Sequence, residues 1–254
     1  MESKKKIKFE ANNMYVISDF DRTMTTSESS DSWDAAGCSL GKGFLMESTM
    51  LYEKYRPIEL DYKISYEKKY EAMEIWYKEC MDLYYKYGLT LSQLEKQVKE
   101  SGLIFRNGVK KFLKEMNEKN IPVIIISAGI GNVIEIFLKE NECYYPNMYI
   151  ISNFLGFDNE GRIEKYNKQL IHTMNKTANG NLPKELQEEI KKRKYKLLFG
   201  DTIEDKQMVD ECEHENTLLV GFLNENVEEN FELYKKEFDI CLVGNAKFPK
   251  IEIN

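Results

Sequence analysis

With 254 residues, 42% of them hydrophobic and 12% aromatic, the chain can bury a substantial core, which argues against a disordered protein. A formal charge of −7 and a pI near 5.2 disfavour binding to a nucleic-acid polymer, although a local cationic pocket can still hold a nucleotide. Five scattered cysteines (Cys38, Cys80, Cys143, Cys212, Cys241) form no CxxC pair, and no stretch approaches the roughly 20 apolar residues of a membrane span, so a reduced, cytoplasmic monomer without a membrane partner is expected.

The first predicted element is a buried strand, Tyr15 to Ile17, running into Ser18-Asp19-Phe20-Asp21-Arg22-Thr23. Two acids one residue apart repel each other unless a cation sits between them, and a hard divalent ion is the usual answer. The carboxyl edge of an open α/β sheet is also where ligands bind. Thr23 to Gly43 is rich in Ser, Thr, Gly and Asp and reads as loop with weak helix at most. From Phe44 to about Ser101 the pattern turns helical. Met73, Trp76, Tyr77, Cys80, Tyr84 and Tyr87 recur at three-and-four spacing, Gly88 stops the run, and Thr90 or Ser92 can cap a helix from Leu91 to Glu100. This block reads as a helical insertion, with the aromatics as the insertion's own core.

Asn107 to Asn120 is amphipathic, and Ile121 to Ile126 is an unbroken apolar run ending in Ser127-Ala128-Gly129, the pattern of a strand covered on both faces. A helix from Ile130 to Lys139 and a strand from Met148 to Ser152 follow. Phe154 to Phe157 and Arg162 to Tyr166 read as a hairpin around Asp158 to Gly161. A helix from Lys184 to Arg193 precedes the strand Lys196 to Phe199, which ends in Gly200-Asp201, and another helix is expected from Glu204 to Cys212. The strands Thr217 to Gly221 and Asp239 to Val243 flank a helix from Val227 to Lys236. The alternation predicts an α/β fold: a Rossmann-like parallel sheet flanked by helices, with a helical cap inserted after the first strand. The expected division is a core of residues 1–30 and 102–254 and a cap of residues 31–101.

Three strand ends look alike, because Asp19/Asp21, Ser127 and Asp201 each follow an apolar run. Lys176, in the polar loop Met174 to Gly180, precedes the helix that feeds the Asp201 strand. Such a set suits phosphoryl transfer, where catalysis is mainly positioning and charge stabilisation. In the expected scheme Asp19 is the nucleophile and Asp21 the proton donor and acceptor. Asp19, Asp201 and the main-chain carbonyl of Asp21 hold Mg²⁺, while Ser127 and the adjacent Ala128 and Gly129 bind phosphate oxygens. Lys176 offsets their charge, and Asp205, one turn past Asp201, orients Lys176 or a metal-bound water. Taken singly each group has a plainer reading: Ser127 as a turn residue, Lys176 as a solvated lysine, Asp201 and Asp205 as an N-cap and a first-turn acid. The combination, in this order, carries the argument.

The order DxDxT, strand-terminal Ser, Lys, then Gly-Asp-x-x-x-Asp resembles the haloacid dehalogenase-like phosphohydrolases. More closely, the chain resembles the cytosolic pyrimidine 5′-nucleotidase (type III) family. The stretches that carry the likeness are Ser18 to Thr23, Glu53-Lys54-Tyr55 with Ile58-Glu59, Trp76-Tyr77, Ile126 to Gly131, Ser152-Asn153-Phe154, Leu170-Ile171-His172 with Asn175-Lys176, and Gly200-Asp201. The resemblance implies Mg²⁺-dependent removal of phosphate from nucleoside 5′-monophosphates such as CMP, UMP or 7-methyl-GMP, with Glu59 as the cap residue that contacts the base. A carboxylate there can accept from the amine of cytosine or from guanine N–H donors. The chain departs from the family at Cys80, which stands where a base-side serine is expected, and in the loop Thr25 to Gly43, where Trp33 is a candidate for stacking on the base. Trp76 and Tyr77 are read as cap packing. The alternative is a phosphatase for another small metabolite such as phosphoserine. A dehalogenase needs no second acid at Asp21 and no metal, and a silent binding module would not need every polar group the chemistry uses.

Overall fold

A computed structural model of the chain describes residues 5, 7–61, 63–177 and 182–254. Its centre is a parallel sheet in the order β3-β2-β1-β6-β7-β8, built from β1 (Met14–Ser18), β2 (Val123–Ile130), β3 (Met148–Asn153), β6 (Tyr195–Gly200), β7 (Thr217–Leu223) and β8 (Ile240–Val243). Every residue of β1 is buried, since the strand is central and covered on both faces. Its side chains alternate between two apolar clusters. Met14 and Val16 join Val123, Ile125, Leu197 and Phe199, while Tyr15 and Ile17 join Ile124, Ile126, Leu198 and Phe238. Ser18 is level with Ile125 on one side and Phe199 on the other. That register brings Asp19, Ser127 and Asp201 out at the same edge.

Four helices follow β1 before residue 102: α1 (Ser32–Gly37), α2 (Gly41–Leu60), α3 (Tyr66–Lys86) and α4 (Leu91–Glu100). The stop at Gly88 holds, with its φ of +64° in the left-handed region, and Thr90 caps α4 through a reciprocal bond pair with Gln93. The aromatics of α3 do more than fill an insertion. Met73, Tyr77 and Tyr84 belong to one apolar cluster that is continuous with a face of the sheet, and Trp76 stacks on Tyr55 of α2 at 5.9 Å. The hairpin of β4 (Leu155–Phe157) and β5 (Ile163–Tyr166) reaches back to these helices, where Tyr166 Oη donates to Asp82 at 2.7 Å and the Leu91 N–H to the Gly161 carbonyl at 2.8 Å. The sheet is flanked further by α5 (Val109–Glu118), α6 (Gly131–Glu140), α7 (Lys184–Ile190) and α8 (Val227–Glu237).

Two expectations differ from the structure. The loop after β1 contains the helix α1, capped by the Asp31 carboxylate accepting from the Asp34 N–H at 2.8 Å, with Ala35 and Ala36 buried. The helix expected from Glu204 to Cys212 is instead two 3₁₀ segments, Ile203–Met208 and Glu211–Asn216, broken at the extended Val209. The Asp205 carboxylate turns back to the N–H groups of Asp201 and Thr202, and the burial of Met208 and Val209 fixes a path that a regular α-helix would not follow. No helix among the described residues is long and apolar enough to cross a membrane.

Candidate active site

Asp19 leaves β1 with its N–H donating to the Phe199 carbonyl at 3.0 Å, which ties it to the neighbouring strand β6. Lys176 Nζ donates to Asp19 Oδ1 at 2.5 Å and to Asp205 Oδ1 at 2.7 Å. All three side chains are buried. Asp205 Oδ2 accepts from the N–H groups of Asp201 and Thr202, each at 3.0 Å, so both of its oxygens are committed. Asp19 Oδ2, also buried, has no hydrogen-bond partner among the described residues.

The lysine is held by a short scaffold. Asn175 Oδ1 accepts from the His172 N–H at 2.8 Å, and its Nδ2 donates to the Leu170 carbonyl at 2.9 Å. Asn153, the last residue of β3, donates to the carbonyls of Ala128 and Ile171 and accepts from the Ile171 N–H. One amide therefore links the Ser127-Ala128-Gly129 stretch of β2 to the Lys176 loop. The far part of that loop, residues 178–181, lies outside the described residues.

Burial alone would lower the pKa of the Lys176 ammonium, but Asp19 and Asp205 reverse this and hold it above the ordinary lysine range. Burial pushes the Asp19 carboxyl up, against the pull of Lys176. Asp201 is pushed well above the carboxylate range by burial and by repulsion from Asp19 and Asp205. Oxygens of Asp19, Asp201 and Asp205 lie within 4.8 Å of one another. A buried and a half-buried acid that repel each other, with one orphaned oxygen, form a donor set that fits a hard divalent cation. Because Asp205 is committed to Lys176 and the backbone, Asp19 and Asp201 are the carboxylates with capacity to spare.

Asp21 is not one of these three acids and is bonded to Ser32. The Ser32 N–H donates to its Oδ1 at 2.9 Å and the Ser32 hydroxyl to its Oδ2 at 2.6 Å. Burial and the charges of Asp31 and Asp19 push the Asp21 carboxyl up to about 8, against the pull of the Ser32 hydrogen bonds. Gly129 lies beside this pair. A β-carbon there would come within 1.9 Å of Ser32 Oγ and 2.7 Å of Asp21 Oδ2, so only glycine leaves the space open. The Gly129 N–H donates to Ser127 Oγ at 3.0 Å, and Ser127 itself is buried.

Glu59 sits near the end of α2, paired with Arg56 and accepting from Thr173 Oγ1 at 2.9 Å. Thr173 is three residues before Lys176, so Glu59 touches the same loop that carries the lysine. Trp33 packs against Tyr77 and Tyr84, at ring separations of 5.5 Å and 6.0 Å. Cys80 is half-buried, and its thiol is pushed up to about 12 by burial, so it is neutral.

Arg106 and Asn224 carry no signal in the sequence. The buried Arg106 guanidinium donates to the carbonyls of Arg22, Thr23, Gly244 and Ala246 and to Asn224 Oδ1. Asn224 Nδ2 donates in turn to the Arg22 carbonyl at 3.0 Å and lies 3.5 Å from Asp201 Oδ2. A solitary Arg in a loop carries no signal of this role. Ser32 was equally hidden, since its helix depends on tertiary contacts.

Comparison with known proteins agrees with this geometry. A family model described as pyrimidine 5′-nucleotidase (UMPH-1) matches residues 18–250. The chain is 37% identical over 194 residues to 7-methylguanosine phosphate-specific 5′-nucleotidase A of Xenopus laevis, covering 76% of this chain and 67% of the relative. It is 31% identical over 241 residues to the Homo sapiens 7-methylguanosine phosphate-specific 5′-nucleotidase, covering 90% and 79%. The crystal structure of cytosolic 5′-nucleotidase IIIB bound to cytidine superposes with a TM-score of 0.82 at 28% identity, covering 94% of this chain and 83% of that one. A buried lysine bridging Asp19 at the end of β1 and Asp205 in the 3₁₀ segment after β6, on a sheet of this order and with these relatives, leads to one conclusion: the chain belongs to the pyrimidine 5′-nucleotidase (UMPH-1) family of the haloacid dehalogenase-like fold and is a 5′-nucleotidase, a phosphoric monoester hydrolase.

Proposed function

We propose that this enzyme removes phosphate from nucleoside 5′-monophosphates, pyrimidine nucleotides such as CMP and UMP and also 7-methyl-GMP, through an aspartyl phosphate on Asp19. The observation that carries the reading is the bond from Lys176 to Asp19 Oδ1, which leaves Oδ2 as the oxygen able to attack. The substrate range draws on relatives named for 7-methylguanosine phosphate and on a related structure that holds cytidine. One of the matched relatives is named as cytosolic, in keeping with action in the cytoplasm.

The carboxylates of Asp19 and Asp201, with the main-chain carbonyl of Asp21, would hold Mg²⁺, which when bound neutralises phosphate charge and relieves the repulsion between the two acids. Asp19 Oδ2 attacks phosphorus and the bond to the 5′-oxygen breaks, while Asp21 gives its proton to that oxygen. A carboxyl pushed up to about 8 carries a proton at neutral pH, which supports the donor role. Asp21, now ionised, then takes a proton from water as the water oxygen attacks phosphorus. The bond from phosphorus to Asp19 breaks, releasing phosphate and restoring the carboxylate. Ser127, with the backbone at Ala128 and Gly129, binds phosphate oxygens, and Lys176 balances their charge. Asp205 keeps the lysine in line. Residues 31–101 act as a cap over the core of residues 1–30 and 102–254, with Glu59 accepting from the base.

The test is phosphate release from CMP, UMP, 7-methyl-GMP and simple phosphoesters, with and without Mg²⁺, in the wild type and in Asp19→Asn. Release from nucleoside monophosphates that needs the metal and vanishes in the variant is expected. Undiminished turnover in Asp19→Asn would discard the phosphoaspartate route, and a wild type inactive on every nucleotide would discard the substrate class.

A further inference from the structure

Arg56 and Glu59 stand one turn apart on α2, and an ion pair joins the Arg56 guanidinium to Glu59 Oε2. The other oxygen, Oε1, accepts from Thr173 Oγ1, so each oxygen is anchored by one partner and keeps a lone pair for a further donor. The Glu59 side chain keeps 8% of its exposure and that of Arg56 keeps 30%, which makes arginine the accessible half of the pair. The guanidinium also feels the charge of Glu225 on the loop after β7. Glu225 pairs at 2.5 Å with Arg22, the residue after Asp21. The pair therefore stands where α2 meets the strand edge that carries the aspartates.

We propose that Arg56 is a specificity-determining residue that cancels the charge of Glu59, so the site reads a neutral base edge and gives no advantage to the positively charged 7-methylguanine. The proposal rests on the reading of Glu59 as the base contact. A lone carboxylate accepts from base N–H groups and attracts a cationic base. An arginine bonded to it removes the net charge and adds a donor beside the acceptor. Cytosine offers an amine next to a ring-nitrogen acceptor, and uracil an N–H next to a carbonyl, so each can satisfy both halves of the pair. A methylated, positively charged purine meets the guanidinium as a repulsive element, and discrimination is built from such elements as much as from attraction.

The experiment compares kcat/KM for CMP and 7-methyl-GMP, by phosphate release, at a mildly acidic pH where the methylated base keeps its charge. The proteins are the wild type, Arg56→Gln, Arg56→Lys and Glu59→Gln. Arg56→Gln is expected to raise the ratio of 7-methyl-GMP to CMP by about tenfold, while Arg56→Lys, which keeps the charge, stays within about twofold of wild type. An unchanged ratio in Arg56→Gln, an equal loss on both substrates, or a rise in Arg56→Lys matching that of the glutamine variant overturns the proposal. Ribose 5-phosphate, which has no base, separates the two levels of failure. If wild type and Glu59→Gln treat all three substrates alike, the base contact itself is wrong. If Glu59→Gln reorders them and Arg56→Gln does not, only the role of Arg56 falls.

Discussion

Ser32 grips both oxygens of Asp21, one through its backbone N–H and one through its hydroxyl, from the first turn of α1. The hydroxyl oxygen also accepts from the Ile130 N–H at 3.1 Å, so the rotamer is fixed from the strand β2 side. This grip aims the carboxyl and, by favouring its ionised form, restrains its rise to about 8. If Asp21 is the proton donor, as proposed, Ser32→Ala is expected to lower kcat by roughly ten- to a hundredfold with little change in KM, because a proton donor acts mainly in the transition state. The sign of the pH effect follows from the same bond. Losing a donor to the carboxylate raises the pKa of Asp21, so the alkaline limb of the kcat profile should move to higher pH. A profile of kcat against pH from 6 to 10 checks both effects, and a limb that moves toward acid would contradict the argument.

Gly129→Ala should be nearly as damaging, for steric reasons. The added methyl meets Ser32 Oγ at 1.9 Å and must push it off Asp21. Overpacking of this kind costs about 1–3 kcal/mol of stability, so the protein should remain folded while activity falls by more than tenfold. Thermal melting and phosphate release measured on the same sample separate the two effects. Full activity in the variant would mean that the Ser32 contact is dispensable.

His172 makes the enzyme's stability sensitive to acid away from the reacting groups. Its ring is wholly buried against Tyr70 and Tyr77, at 4.8 Å and 5.8 Å, and Nδ1 accepts from the Met174 N–H at 3.2 Å. Burial lowers its pKa from 6.5 to about 4. The unfolded chain takes up a proton below about 6.5 while the folded chain does not until about 4, so stability is complete above 6.5 and drains away between these values. The loss amounts to roughly 3 kcal/mol. His172→Asn, which keeps an acceptor for the Met174 N–H, should flatten the dependence of melting temperature on pH between 6.5 and 4. Parallel curves for the two proteins would refute this.

Much of the site was legible because its residues sit on strand ends. The apolar runs before Asp19 and Asp201 mark where β1 and β6 stop, whereas β2 runs on past Ser127 to Ile130 through a shift of register, and the parallel sheet brings all three positions to one edge. The lysine was legible only as a member of that set. Ser32 was not, since a six-residue helix is made by its cap and by the burial of Ala35 and Ala36, and propensity says little about it. The segment after Asp201 misled for a related reason. Its helical pattern is real, but Asp205 spends its carboxylate on two backbone N–H groups and a lysine, and tertiary demand overrides local preference. The pairing of Arg56 with Glu59 did have a sequence signal, opposite charges three residues apart on a helix, although such pairs are common on solvated faces.

Arg106 has a wider consequence. Its guanidinium lies 4.1 Å from the Phe222 ring and is bonded to main-chain oxygens that follow β1 and β8, and to an amide that follows β7. The carboxy-terminal strands contribute no reacting atom, yet through this one side chain they brace the turn on which the amino-terminal aspartates depend. Injury to the tail of the polypeptide, by clipping or by mutation, should therefore reach the turn at its head as well as the fold.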